Sequence, residues 1–129
     1  MLDERIRALA EGPNFAAFTT LLPDGTPMTH VMWVAADEEH VLINTEVHRQ
    51  KYRNVRRDPR VTVTIIDHEN PYHFAEVRGT VVDTVTGPEA RASIDELSMK
   101  YGGRPYPEDS IESERVILRI APNRQQHRG

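Results

Sequence analysis

The sequence predicts a mainly β protein, a small six-stranded barrel with about three short helices. Six stretches of apolar or alternating residues, rich in β-formers and bounded by turn residues, indicate strands. These strands do not alternate regularly with helices, which argues against a doubly wound parallel sheet and favours a sheet closed on itself. The chain has 129 residues and no linker, so a single domain over residues 1–129 is expected.

The first half of the chain is predicted to form one helix and three strands. Apolar residues at helical spacing indicate an amphipathic helix over Leu2–Ala10, which the pair Gly12-Pro13 ends. Strands are expected at Phe15–Leu22 and Met28–Ala36, joined by the tight turn PDGTP. A second turn, DEEH, leads to the short buried strand Val41–Asn44.

The second half is predicted to contain two helices and three strands. The first helix, His48–Arg57, ends before an Asp-Pro pair. The second lies within Thr86–Gly103, with a proline near its start and two glycines at its end. We expect the tail Asn123–Gly129 to be frayed. The strands predicted in this half are Val61–Ile66, Phe74–Val85 and Arg115–Pro122.

Composition and charge exclude several classes of function. The formal net charge of −4 argues against general nucleic-acid binding, and the absence of cysteine excludes disulfides and thiol catalysis. No apolar run approaches the ~20 residues that span a bilayer, and the N-terminus lacks the apolar segment of a signal peptide. A cytoplasmic protein that does not bind membranes is therefore expected. The six histidines have no paired metal-ligand spacing, so no metal site is predicted.

The segment INTEVHRQKYRNVRRDPRV, residues 43–61, is strongly basic in an acidic chain. Arg49 and Lys51 fall at the start of the predicted helix, where the helix dipole disfavours cations by about 0.3–1 kcal/mol each. An anion bound at this end would reverse that effect and gain backbone N–H bonds. Arg56 and Arg57 lie near the C-terminal end, which suits cations. The pattern thus indicates an anion site near Lys51, and a merely solvated helix face remains the alternative.

Three segments in order carry a resemblance to a known family: FTTLLPDGTPMTHVMWV, VLINTEVHRQKYRNVRRDPRVTVTIID and NPYHFAEVRGTVV. The chain resembles the pyridoxamine 5′-phosphate oxidase-like split β-barrel family over nearly its whole length. It is most similar to the branch that uses the deazaflavin coenzyme F420, through the patterns T-x-x-x-R-x-K, N-x-x-x-D-P-R-V and N-P-Y-x-x-x-E-x-R-G. The resemblance implies a homodimer of six-stranded split barrels that binds two cofactors in clefts between the subunits.

The resemblance also implies which residues bind the cofactor. Gln50 replaces an arginine of the oxidases, which fits the deazaflavin pattern with Arg49 supplying the charge. His73 and Phe74 depart from the arginine and tyrosine often found there. The implied cofactor-binding residues are Thr29, His30, Val31, Met32, Trp33 and Val34 beside the ring, Asn44, Thr45, Arg49, Gln50 and Lys51 near the phosphate, and Tyr72 and His73 reaching toward the partner's cofactor.

The activity implied by the resemblance is hydride transfer by coenzyme F420 to a small unsaturated substrate. The sequence identifies no catalytic acid or base. Two alternatives stay open at this point: an FMN-binding oxidoreductase of the same fold, and a non-catalytic protein that binds or sequesters the cofactor.

Overall fold

The computed structural model describes residues 1–129 as one antiparallel sheet of seven strands with three α-helices. A short 3₁₀ turn at Glu108–Ser110 precedes the last strand. None of the helices is both long and apolar enough to cross a membrane. The elements are α1 Glu4–Glu11, β1 Phe15–Leu21, β2 Pro27–Met32, β3 Ala35–Ala36, β4 Val41–Glu46, α2 Gln50–Arg57, β5 Arg60–Ile66, β6 Phe74–Val85, α3 Pro88–Gly102 and β7 Arg115–Arg128.

The strand order β2-β1-β5-β6-β7-β4-β3 requires the sheet to curl. Strands β2 and β3 lie at opposite edges of the sheet, yet only Trp33 and Val34 separate them in the chain. The three Cα–Cα steps from Met32 to Ala35 span at most about 11 Å, so the edges must approach each other. The mainly β barrel with three helices is confirmed. It has seven strands rather than six, because the single strand predicted over Met28–Ala36 divides at this crossing.

The barrel interior is filled by alternate side chains of the strands. Phe18 of β1, Ile65 of β5 and Leu118 of β7 are among the largest fully buried side chains. Helix α1 adds Ile6 and Leu9 to the same core. Its N-terminus is capped by the Asp3 side chain, which accepts a hydrogen bond from the backbone N–H of Arg5. The outer face of β4 and β7 carries the polar residues Asn44, Glu46 and Arg115 toward one end, and α3 packs against this face.

The prediction of a frayed C-terminal tail is wrong. Strand β7 continues to Arg128 and pairs with β6 as far as Phe74. The ladder shifts register at Gly79, where an added Cβ would lie 2.5 Å from the carbonyl oxygen of Ala121. Because backbone pairing satisfies the N–H and C=O groups of the tail, its polar sequence does not prevent an ordered strand.

Candidate functional site

A cavity of about 270 Å³ opens on the outer side of the barrel, beside the crossing between β2 and β3. It combines residues of β2, β4, α3, the loop after α3, and β7. Val31, at the edge of the cavity, is 72% exposed. The lining residues are Val31, Met32, Trp33, Asn44, Ile94, Tyr106 and Arg115.

Aromatic side chains form one wall of this cavity. The indole of Trp33 stacks on Tyr101 with ring centroids 5.1 Å apart and planes 5° apart, and meets Tyr106 edge-on at 6.3 Å. The Tyr101 hydroxyl accepts a hydrogen bond from the Val34 N–H at 3.2 Å and donates one to the carbonyl of Asn14. Since Tyr101 is anchored both to the crossing at Val34 and to Asn14, just before β1, it holds Trp33 in one orientation.

A buried hydrogen-bonded network forms the polar floor. Asn44 donates to the carbonyl of Ala90 on α3 and accepts from Arg115 Nε, each at 2.9 Å. Arg115 Nη1 lies 3.2 Å from a carboxylate oxygen of the buried Glu46. The other Glu46 oxygen accepts from the backbone N–H groups of Glu112 and Ser113 at 2.7 Å. The network therefore ties β4, β7 and α3 together directly under the cavity.

The charges of this network are held in place by their partners. Burial alone would raise the pKa of Glu46, but the two backbone N–H donors and Arg115 outweigh it and lower that pKa. Burial lowers the pKa of Arg115, against the opposing effects of Tyr106 and Glu46. The guanidinium lies 5.3 Å from the Tyr106 ring centroid in a cation–π arrangement. Arg115 thus presents a fixed positive charge at the cavity floor.

The start of α2 carries further positive charge without a counterion. Lys51 is only 8% exposed, yet it forms no hydrogen bond or ion pair within the chain. Burial, followed by the charge of Arg49, lowers the pKa of Lys51. The first turn of α2 contains no acidic residue, and its N-cap, Arg49, makes no side-chain capping bond. A mostly buried lysine that has no acceptor in the chain, beside another cation and a helix N-terminus, is unfavourably placed, and a bound anion would relieve this.

Other polar side chains of α2 have partners. Gln50 donates to the Asn54 side chain and accepts from Arg53, both at 2.8 Å, so its amide is occupied. Arg57 donates to the carbonyl of Leu21, and the Arg56 guanidinium lies 5.8 Å from the Tyr52 ring centroid. The solvated-face interpretation therefore suits Arg56 and does not suit Lys51.

The structure brings together some of the sequence-predicted residues and separates others. Four of them line the cavity: Val31, Met32, Trp33 and Asn44. Thr45, the residue after Asn44, is buried but does not line the cavity. The remaining ones do not line it. Thr29 and His30 are exposed on β2, the side chain of Val34 is buried in the core, and Tyr72 and His73 lie in the loop before β6.

Sequence reasoning missed three residues of the cavity: Ile94, Tyr106 and Arg115. Tyr106 belongs to a loop without periodic pattern, and Ile94 counted only as an apolar helix position. Arg115 left a usable signal, because it opens the strand RVILRI, in which Arg119 is the only other charged residue, and a charged residue in such a strand is rarely buried without a partner. The identity of that partner, Glu46, depends on the pairing of β4 with β7.

A larger cavity of about 470 Å³ lies on the other side of α3, between this helix and the strands β3, β4 and β7. Its floor is apolar, and Lys100 reaches into its wall. The Lys100 ammonium donates to the carbonyls of Ala10 at 3.0 Å and Val34 at 2.5 Å. Lys100 therefore joins α3 to α1 and to the crossing that precedes β3.

Comparison with known proteins places this fold in a family. The model of the pyridoxamine 5′-phosphate oxidase family matches residues 2–128. A solved structure described as an F420 reductase is 36% identical, with 97% of this chain and 98% of that chain covered and a TM-score of 0.83. A conserved hypothetical protein from Mycobacterium tuberculosis is 26% identical over 99% of this chain and 84% of its own, with a TM-score of 0.78.

A putative pyridoxamine 5′-phosphate oxidase from Listeria innocua shares the fold, with 21% identity, coverage of 96% and 95%, and a TM-score of 0.69. The resemblance read from the sequence motifs is thus confirmed along the full barrel. The chain belongs to the pyridoxamine 5′-phosphate oxidase family.

Proposed function

We propose that this protein is an oxidoreductase that uses coenzyme F420 for hydride transfer to a small unsaturated substrate, with the cofactor bound between the subunits of a homodimer. The mostly buried Lys51, which has no partner in the chain, carries this proposal, because an anionic group bound beside it would supply the missing counterion. The likeness to a structure described as an F420 reductase supports the choice of cofactor.

The residues present suit an anionic cofactor with a flat ring system. Lys51 and Arg49 would bind its phosphate, together with the N-terminal N–H groups of α2 and the hydroxyl of Thr45. Met32 and Trp33 would contact its ring. When bound, coenzyme F420 supplies the hydride that reduces the substrate. Arg115 contributes positive potential at the cavity floor, and the stacked Trp33 and Tyr101 exclude water from that side.

The size of the cavity favours a site completed by a second subunit. Small-molecule sites are typically about 300–1,000 Å³ and cover most of the ligand. The cavity here is about 270 Å³, and Val31 at its edge is 72% exposed. A second copy of the chain packed against β2 would enlarge and close the site, which is the physical reason to propose a homodimer.

Fluorescence titration with coenzyme F420 and with FMN tests the proposal. We expect tighter binding of coenzyme F420, and we expect Lys51→Met to weaken it by about 1–3 kcal/mol, roughly 5- to 150-fold, through loss of a charge-assisted bond to phosphate. Arg56→Met removes a charge from the exposed side of the same helix and is the matched control, expected to change affinity by less than about twofold. Equal effects of the two substitutions would refute the phosphate assignment.

Two outcomes would redirect the proposal within the same fold. Binding of FMN with no affinity for coenzyme F420 would favour an FMN-dependent oxidoreductase, to which the oxidase family match also points. Tight F420 binding without turnover across enones and quinones would favour a protein that sequesters the cofactor. If Lys51→Met also weakens binding in that case, the proposed anion site stays and only the chemistry attached to it changes.

A further inference from the structure

Histidine and carboxylate side chains, which are common metal ligands, lie close together where the loop before β6 meets the end of β7. None of them lines the cavity around Trp33 and Arg115. His73 and His127 are 54 residues apart in sequence and come together because β7 extends to Arg128. The register pairs Ala75 with His127, and His73 lies in the loop two residues before Ala75.

The two imidazoles face each other through their Nε2 atoms, which are 3.0 Å apart, with ring planes at 84°. The other nitrogen of His73, Nδ1, lies 2.9 Å from a carboxylate oxygen of Asp67. A carboxylate in this position holds a proton on Nδ1, so Nε2 of the neutral ring has a free lone pair. Carboxylate–histidine pairs of this kind commonly support metal-binding imidazoles.

One N–H···N hydrogen bond, with its proton on Nε2 of His127, satisfies both Nε2 atoms of this arrangement. A divalent ion that displaces this proton and lies off the line between the two nitrogens could bond to both. Metal–nitrogen bonds of about 2.0–2.1 Å to atoms 3.0 Å apart subtend an angle of about 90–97° at the metal.

That angle fits neighbouring positions of an octahedral or tetragonal ion better than a tetrahedral one. His73 is 32% exposed, so water can occupy the remaining coordination positions. Ligand atoms of Asp67, His68 and Glu69 lie within 4.8 Å of one another on the same loop. These carboxylates add negative charge near the two imidazoles, which favours a divalent cation over an anion.

We propose that His73 and His127 bind a divalent transition-metal ion through their Nε2 atoms, with Asp67 orienting His73. The preference expected from nitrogen ligands at right angles is Cu²⁺ and Ni²⁺ before Zn²⁺, with no binding of Mg²⁺. The proposed metal site shares no residue with the cavity around Trp33 and Arg115. Its one link to the proposed cofactor site is His73, which the family resemblance places toward the partner's cofactor.

Calorimetric titration of the EDTA-treated protein with NiCl₂, ZnCl₂ and MgCl₂ tests this site. We expect one Ni²⁺ per chain, weaker Zn²⁺ binding, and no heat from Mg²⁺ beyond dilution. His127→Gln keeps an amide able to hydrogen-bond His73 but removes the ligand, and it should weaken Ni²⁺ binding at least tenfold. Asp67→Asn should weaken it by about 10- to 100-fold, as expected for loss of a supporting carboxylate.

His30→Gln is the matched control, because His30 is exposed on β2 and makes no contact with this cluster. It should bind Ni²⁺ like the unmodified protein. Equal Ni²⁺ affinity in the unmodified protein and in His127→Gln, or an absence of Ni²⁺ binding, would overturn the proposal. His73→Gln provides a second ligand deletion if the strand end does not tolerate His127→Gln. Circular dichroism and the melting temperature separate loss of a ligand from loss of the fold.

Discussion

The only two lysines of the chain are both withdrawn from water, yet their surroundings differ. Burial lowers the pKa of each, that of Lys100 to about 8. Lys100 donates to two backbone carbonyls and lies 4.8 Å from the ring centroid of Tyr101. Lys51 has no partner of any kind and lies near Arg49, whose charge lowers its pKa further.

This difference separates a structural lysine from a binding one. The folded chain itself supplies Lys100 with acceptors, so its burial is explained by the joining of α3 to α1. Nothing in the chain offsets the burial of Lys51, and an unpaired buried charge normally costs several kcal/mol or shifts its pKa. A ligand that the chain does not contain is the simplest physical explanation for Lys51.

The largest expected effect comes from removing the carboxylate that pairs with Arg115, the third cation in this comparison. Glu46→Gln removes the carboxylate of Arg115 and should lower the free energy of unfolding by about 3–5 kcal/mol, the usual cost of breaking a buried ion pair. Chemical denaturation measures it, and the control is Glu112→Gln, which removes only the exposed contact with His48. A loss below about 1 kcal/mol would show that this site tolerates an unpaired cation, and the case built on Lys51 would weaken.

A smaller effect is expected from removing each lysine in turn. Lys100→Met leaves the carbonyls of Ala10 and Val34 without this donor and should cost about 1–3 kcal/mol of unfolding free energy. Lys51→Met removes an unpaired charge of similar length and should leave the stability of the ligand-free protein unchanged or raised by up to about 1 kcal/mol. Chemical denaturation of the two variants under the same conditions measures both effects. A larger loss of unfolding free energy in Lys51→Met than in Lys100→Met would contradict the distinction between a binding lysine and a structural one.

The smallest effect expected is a pH dependence. The pKa of Lys100 is about 8 in the folded chain and near its ordinary value of 10.5 when unfolded. Between these values the unfolded chain binds more protons, so this lysine makes the free energy of unfolding rise with pH, by less than about 1.4 kcal/mol per unit. Denaturation between pH 7.5 and 9.5 should show a steeper rise in the unmodified protein than in Lys100→Met. Parallel curves would mean that the pKa of Lys100 is not depressed in the folded chain.

The helices and most strand positions can be predicted from periodicity, because a segment carries its own apolar pattern. The unfavourable placement of Arg49 and Lys51 at the N-terminal end of α2 can also be predicted, because the position of a helix and the charges on it are local properties of residues 48–57. The division of the strand Met28–Ala36 is not visible in the pattern, because an apolar run looks alike whether it stays in one edge strand or crosses to the other. The ordered tail after Pro122 was missed for the opposite reason, as its residues are polar and their order comes from pairing with β6.

The sequence by itself determined the fold class, the family and the site of unbalanced positive charge near Lys51. These follow from residue type and spacing along the chain. Only the tertiary structure decided that Arg115 is paired with Glu46 beneath the cavity and that His73 faces His127. Such pairings depend on which strands are neighbours and in what register, and strand periodicity indicates the face of a side chain but not its partner across the sheet.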